Sequence, residues 1–258
     1  MARLTDAQVA QAMVANGRWS GQLGWGRYLE AIEVLLGIPA GAPATSAAFA
    51  TALSNWQASR QLDVDGILGP ETWVPMRRAL APPDSPTGVV PAALPPVPNG
   101  FNEIVGTFGD PRPFLEPNGT ITSVNLARWE RQALAVCPLP FDLAVGGGSG
   151  ETIRSFHCHR LLVGAFDAVF DELERRNLKD AIRTWDGTFA FRAIRGDTHL
   201  SVHAFGAAID LNAKTNPLGE PGDMSPEVVG VFRHFGFLWG GDFHGRKDPM
   251  HFQYATGY

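Results

Sequence analysis

The chain has 258 residues, 45% hydrophobic and 18% charged, with a formal net charge of -5. That balance excludes wholesale disorder, and without a stripe of Lys and Arg to neutralise phosphates it excludes nucleic acid as the main partner. No run approaches the roughly 20 apolar residues that a bilayer span requires, so membrane insertion is not expected.

Four short helical patterns occupy residues 1–80. Thr5 and Gln8 have the spacing of a capping box, and Phe49, Leu53 and Trp56 repeat along one helical face. A fourth helix is expected after the turn Asp65-Gly66-Ile67-Leu68-Gly69-Pro70, with Pro70 in its first turn and Trp73, Met76 and Leu80 facing inward. The run NWQASRQLDVDGILGPETW, residues 55–73, resembles the peptidoglycan-binding domain 1 pattern, in which a helix ending in W-Q precedes a D-G-x-x-G-x-x-T-W turn. Trp56, Gln57, Asp65, Gly66, Gly69, Thr72 and Trp73 occupy those positions. The resemblance implies a three-helix-type module that binds wall glycopeptide, with Asp65 and Trp73 as wall-binding candidates. On the residues alone, the glycines set turn geometry and both tryptophans fill a core.

Residues 81–100 hold seven prolines and read as a semi-rigid extended connector. Beyond it, in 101–258, a helix is expected over Arg160 to Arg176 with Leu162, Phe166, Val169, Phe170 and Leu173 on its apolar face. A second is expected from Pro226 to Phe235, capped by Ser225 and stopped by Gly236. Short β-like runs lie at 188–194, 206–212 and 250–254. Helices and strands mix without a βαβ repeat, which predicts an α+β domain. Cys137 and Cys158 are too few for a disulfide framework and read as buried thiols. The run Gly146 to Gly150 lacks the Lys-Ser/Thr of a phosphate loop and reads as a turn, while His157, His159 and His234 read as structural. His199 and His203 lack the intervening glutamate of a zincin helix, and His244 reads as a solvated loop residue. The opening MARLTDAQVAQAM has neither the basic nor the apolar region of a secretory signal. Synthesis in the cytoplasm is expected, with release or export by another route, and nothing coiled-coil-like predicts an oligomer, so a monomer is expected.

The chemistry concentrates in Ser201-Val-His203-Ala-Phe-Gly206-Ala-Ala208-Ile-Asp210, followed by Trp239-Gly-Gly241 and Asp248-Pro-Met-His251. A catalytic zinc site needs about three protein ligands and one open position, and two imidazoles with one carboxylate supply them: His203, Asp210 and His251. Gly206 would let the chain turn between the first two. Asp248, three residues before His251, is the candidate general base, placed to take a proton as an amide carbonyl is attacked.

These motifs resemble the M15 family of zinc peptidases, the D-alanyl-D-alanine carboxypeptidase or VanY-like family, over approximately residues 101–254. The pattern S-x-H-x-x-G-x-A-x-D matches Ser201 through Asp210, and W-G-G followed by D-x-x-H-F matches Trp239 through Phe252. The resemblance implies a hedgehog/DD-peptidase-like domain with a central antiparallel sheet, zinc on His203, Asp210 and His251, and Asp248 as base. It also implies an upstream substrate-binding arginine, for which Arg192 and Arg195 are candidates, with Ser201 and Trp239 beside the substrate. The D-x-x-H-F form points to an L-alanyl-D-glutamate endopeptidase acting on peptidoglycan, with a D-alanyl-D-alanine carboxypeptidase as the alternative. Wall binding, wall cutting and the missing signal together suggest an endolysin. An Fe(II) oxygenase would place its carboxylate two residues after the first histidine rather than seven. A non-catalytic zinc-containing wall-binding protein would not need Asp248.

Overall fold

A computed structural model describes residues 4–23, 25–80, 94–116, 118–193 and 199–257. Most of the expected connector, 81–93, and Arg195 lie outside the described residues. The chain divides into two compact units, Met1–Val89 and Val90–Tyr258. No helix among the described residues is long and apolar enough to cross a membrane.

The first unit contains α1 (Asp6–Gln22), α2 (Leu29–Leu36), α3 (Ala47–Ser59) and α4 (Pro70–Leu80). Thr5 caps α1 through the reciprocal bonds of a capping box with Gln8. Phe49, Leu53, Trp56, Trp73 and Met76 are buried together with Trp25, while Leu80 is half-buried. The D-G-I-L-G turn cannot bond its own backbone, and two buried amides do so instead. Gln57 donates from Nε2 to Asp65 Oδ1 at 2.7 Å and Thr72 Oγ1 at 3.0 Å, and its Oε1 accepts from the Gly66 amide at 2.8 Å. Asn16 donates to the Gly66 carbonyl at 3.0 Å and accepts from the Leu68 amide at 2.7 Å. The W-Q…D-G…T-W signature is therefore, in this unit, the wiring of one turn.

The second unit begins with α5 (Phe101–Phe108) and α6 (Ser123–Ala133), followed by an antiparallel hairpin of β1 (Leu134–Ala144) and β2 (Thr152–His159). Pro138 and Pro140 cannot donate to a ladder, and the register shifts between Pro138 and Leu143. α7 (Val163–Arg175) packs on the hairpin and buries Phe166, Val169, Phe170 and Leu173. Then come β3 (Trp185–Gly187), β4 (Ala208–Leu211), α8 (Pro226–His234), β5 (Leu238–Trp239) and β6 (His251–Gln253). The four strands form one antiparallel sheet in the order β3-β4-β6-β5. Phe252 points from β6 into the core and stacks on Phe232 of α8 at 4.1 Å. The architecture is α+β, with two small antiparallel sheets.

Several expected boundaries move. Of the run 188–194, the described residues 188–193 form no regular strand; they are tied by the bonds Ala190 N to His203 O and Ser201 N to Arg192 O and by a single bridge of Ala193 to Leu200. β4 is shorter than 206–212 because left-handed residues stand at both ends, Gly206 with φ 67° and Asn212 with φ 55°. α7 starts at Val163 because Arg160 and Leu161 form a turn. His157 and His234 are exposed, on β2 and at the end of α8, whereas His159 is buried. Cys137 and Cys158 are buried thiols.

His159 accepts from the Leu161 amide on Nδ1 at 3.3 Å and donates from Nε2 to the Phe108 carbonyl at 3.1 Å, so the ring is held neutral. Burial, opposed by the Phe108 carbonyl and reinforced by the Arg160 charge, pushes its pKa down from 6.5 to about 4. Below pH 6.5 the unfolded chain takes up a proton that the folded one refuses until about pH 4. This unit should lose on the order of 3 kcal/mol as pH falls through that window. Thermal unfolding across the window should show a steeper decline for the wild type than for His159→Gln; equal slopes would exclude the effect.

Candidate metal centre

The strand register brings the ligands together. Asp210 on β4 lies directly opposite His251 on β6, so alternation puts both side chains on one sheet face, with Ile209 and Phe252 on the other. His203 reaches the same face from a tight 3₁₀ turn, Val202–Phe205, which Ser201 caps by accepting from the His203 amide. Gly206 ends that turn in the left-handed region, and a Cβ there would stand 2.8 Å from the His159 amide nitrogen and 2.6 Å from Leu134. The β1–β2 hairpin thus presses against the turn, and the Gly206 carbonyl accepts from His159 N at 2.8 Å.

The three ligand atoms form a nearly equilateral triangle. His203 Nε2 is 3.2 Å from Asp210 Oδ1 and 3.1 Å from His251 Nδ1, and His251 Nδ1 is 2.9 Å from Asp210 Oδ1. His203 and His251 are 3% and 7% exposed. Each imidazole turns its other nitrogen to an acceptor. His203 Nδ1–H donates to the Thr188 carbonyl at 3.0 Å, and His251 Nε2–H donates to Gln253 Oε1 at 3.0 Å. Gln253 is itself oriented by donating to the Ala255 carbonyl at 3.1 Å. Both facing nitrogens therefore present lone pairs beside a carboxylate oxygen, which calls for a positive charge between them.

The electrostatics agree. With no cation there a proton takes its place: burial works to raise the Asp210 carboxyl, but hydrogen bonds from His203 and His251, made when a facing nitrogen carries that proton, outweigh it and hold the group well below the usual carboxylate range. Burial works to lower the His251 imidazole, yet Asp210 raises it. Two imidazoles and one carboxylate form a zinc-type donor set, and ligands about 2.0–2.1 Å from a tetrahedral ion stand roughly 3.3 Å apart, close to the edges found here. The residues fit zinc.

Asp248 occupies a separate loop. Its amide donates to the Gly240 carbonyl at 3.0 Å, its carbonyl accepts from His251 N at 3.0 Å, and Trp239 Nε1 donates to the Pro249 carbonyl at 2.8 Å. The W-G-G segment thus grips the loop that carries Asp248. Burial raises the Asp248 carboxyl, which also feels the charges of His251, Asp210 and His203. Its Oδ1 is buried without a hydrogen-bond partner.

The remaining candidates are placed unevenly. Ser201 is buried in its capping role, and the Trp239 N–H is engaged with Pro249. Arg192 is exposed and lines a cavity of about 530 Å³ with Phe101, Arg112, Thr120, Phe191 and His199. His244 is exposed. Trp73 is 1% exposed, which leaves no ring surface for a wall ligand, and the Asp65 carboxylate is engaged by Gln57 and the Ile67 amide. Sequence reasoning missed Thr188 and Gln253. Gln253 was findable, since on a strand it shares a face with His251 two residues earlier; Thr188 carries no such signal. Gln253→Leu should weaken zinc binding by roughly 10- to 100-fold in competition with a chromophoric chelator. Unchanged affinity would remove Gln253 from the site.

Residues 195–254 match the model of the family described as D-alanyl-D-alanine carboxypeptidase, Peptidase M15_4. Neither the curated proteins nor the solved structures contain a match to the chain. The matched segment holds His203, Asp210, Asp248 and His251, so the candidate metal ligands all lie within the part of the chain that is similar to this peptidase family.

Proposed function

We propose that the chain is a zinc-dependent peptidase that hydrolyses peptidoglycan peptides, acting as an L-alanyl-D-glutamate endopeptidase, with the first unit as a wall-binding module. The observation that carries this reading is the triangle of His203, Asp210 and His251, together with an Asp248 carboxyl that feels the charges of all three and has a buried Oδ1 with no hydrogen-bond partner. Zinc held by the three residues would supply Lewis acidity, polarising an amide carbonyl and acidifying a water. Asp248 Oδ1 then accepts a proton from the attacking water and delivers it to the departing amine nitrogen, so that one carboxyl serves as base and then as acid. Its raised pKa suits the first half of that exchange, because a carboxylate that holds a proton more tightly is the stronger base toward the attacking water.

Substrate recognition falls to the cavity that Arg192 lines. Arg112 there is engaged by Asp110 through two side-chain hydrogen bonds of 2.7 and 2.8 Å, whereas Arg192 has no ion pair among the described residues. Arg192 is the cation open to a stem-peptide carboxylate, and Phe101 and Phe191 offer apolar walls. The first unit would raise the local concentration of the peptidase on an insoluble wall. The D-x-x-H-F form favours the endopeptidase reading, and the description of the matched family supports a second, D-alanyl-D-alanine carboxypeptidase.

Mass spectrometry of purified peptidoglycan digested by the zinc-loaded protein distinguishes the two. New L-Ala carboxyl and D-Glu amino termini are expected, falling by at least about 100-fold in Asp248→Ala, the scale of a lost general base. Release of terminal D-Ala alone would establish the carboxypeptidase; no product despite bound zinc would overturn the peptidase reading. Deleting residues 1–80 should slow digestion of whole walls more than of soluble muropeptides, and equal slowing would exclude the targeting role.

A further inference from the structure

The loop that carries Asp248 is gripped from a second side, away from Trp239 and Gly240. The segment after β4 turns at Asn212, whose carbonyl accepts from the Thr215 and Asn216 amides at 3.1 Å each. It then runs across the Asp248 loop, where Gly219 N donates to the Lys247 carbonyl at 2.7 Å. Gly222 packs there too. With φ at 68° and a Cβ position against Asn216 Oδ1 and 2.8 Å from the Pro249 ring carbons, this residue has no room for a side chain. The segment is closed on itself by fully buried Asn216, which donates to Asp223 Oδ1 at 2.9 Å and accepts from the Asp223 amide at 2.9 Å. Arg183 ties this closure to the chain ahead of β3. Its guanidinium donates to both Asp223 oxygens and to Thr215 Oγ1, all at 2.8 Å, while the Asn212 side chain accepts from the Arg183 and Thr184 amides.

Asp248 Oδ1 makes no hydrogen bond of its own, so the direction of that carboxylate is set by the backbone of residues 247–249. We propose that Arg183, Asn216 and Asp223 are positioning residues for Asp248, acting through Gly222 on Pro249 and through Gly219 on Lys247. The inference rests on the reading of Asp248 as the base. The Arg183–Asp223 pair is about half exposed on both sides, at 49% each. Such a pair contributes little to stability, so a catalytic effect out of proportion to the stability effect is the signature of positioning.

The test combines steady-state kinetics on a soluble muropeptide with amide hydrogen exchange and bound-metal analysis of the full-length protein. In Arg183→Met, kcat should fall about tenfold with KM changed by less than about twofold, as expected when a reacting group is displaced but substrate contacts stay. Metal content should match the wild type, and the Gly219 and Asp248 amides should exchange faster. Arg183→Lys should recover most of kcat, and Gly222→Ala, whose added carbon meets both Asn216 Oδ1 and the Pro249 ring, should repeat the kinetic signature. Faster exchange with unchanged kcat would overturn the inference, as would unchanged exchange or a loss of kcat that only tracks lost metal. A wild-type protein that cleaves nothing would overturn the functional reading and with it the link to the base, whereas exchange would still decide whether Arg183 holds the loop.

Discussion

Two imidazole lone pairs and a carboxylate oxygen, all within 3.2 Å of one another and largely shielded from water, make an arrangement that repels itself unless a cation or a proton sits among them. Much of the second unit can be understood as what holds that arrangement in place. The register of β4 against β6 sets Asp210 opposite His251, and a one-residue slip of β4 would send Asp210 to the apolar face that Ile209 and Phe252 now occupy, away from His251. The hairpin of β1 and β2 leaves Gly206 no space for a side chain and so fixes the turn that delivers His203. Thr188 and Gln253 decide which nitrogen of each ring faces inward.

The candidate ligands and the proposed base are built differently. His251 and Asp210 ride on paired strands whose positions the ladder determines, and both histidines have a hydrogen-bonded partner behind them. Asp248 rides on a loop and has no partner on Oδ1, so its place depends on Trp239 and Gly240 on one side and on the segment closed by Asn216 on the other. A base that must accept and release a proton benefits from an oxygen that is not already committed. The first unit uses a related device. Buried Gln57 and Asn16 bond the backbone of the Asp65 to Leu68 turn, where a strand or helix could not.

The site was legible because its chemistry is local in sequence: His203, Gly206 and Asp210 lie within eight residues, and Asp248 and His251 within four. α4 and α8 were legible for the same reason, since Pro70, Ser225 and Gly236 mark their ends. The hairpin of β1 and β2 was not. Pro138 and Pro140 interrupt the alternation that would have announced β1, and its pairing with β2 is a long-range fact. The run 188–194 has the apolar character of a strand, but its described part, 188–193, bonds to the 3₁₀ turn that carries His203 and not to a regular partner strand. Trp73 sits at a recognisable position of the first unit because it fills the core, and Asp65, exposed, because it bonds Gln57 and the Ile67 amide, so pattern strength at both reports architecture.

The most direct test of the metal centre is X-ray absorption at the zinc edge on the zinc-loaded full-length protein. The account predicts a first shell of about four nitrogen and oxygen scatterers at roughly 2.0–2.1 Å, with outer-shell scattering from two imidazole rings that falls to one in His203→Ala. A shell containing sulfur, a spectrum without imidazole scattering, or one unchanged by His203→Ala would place the metal elsewhere and contradict the central claim.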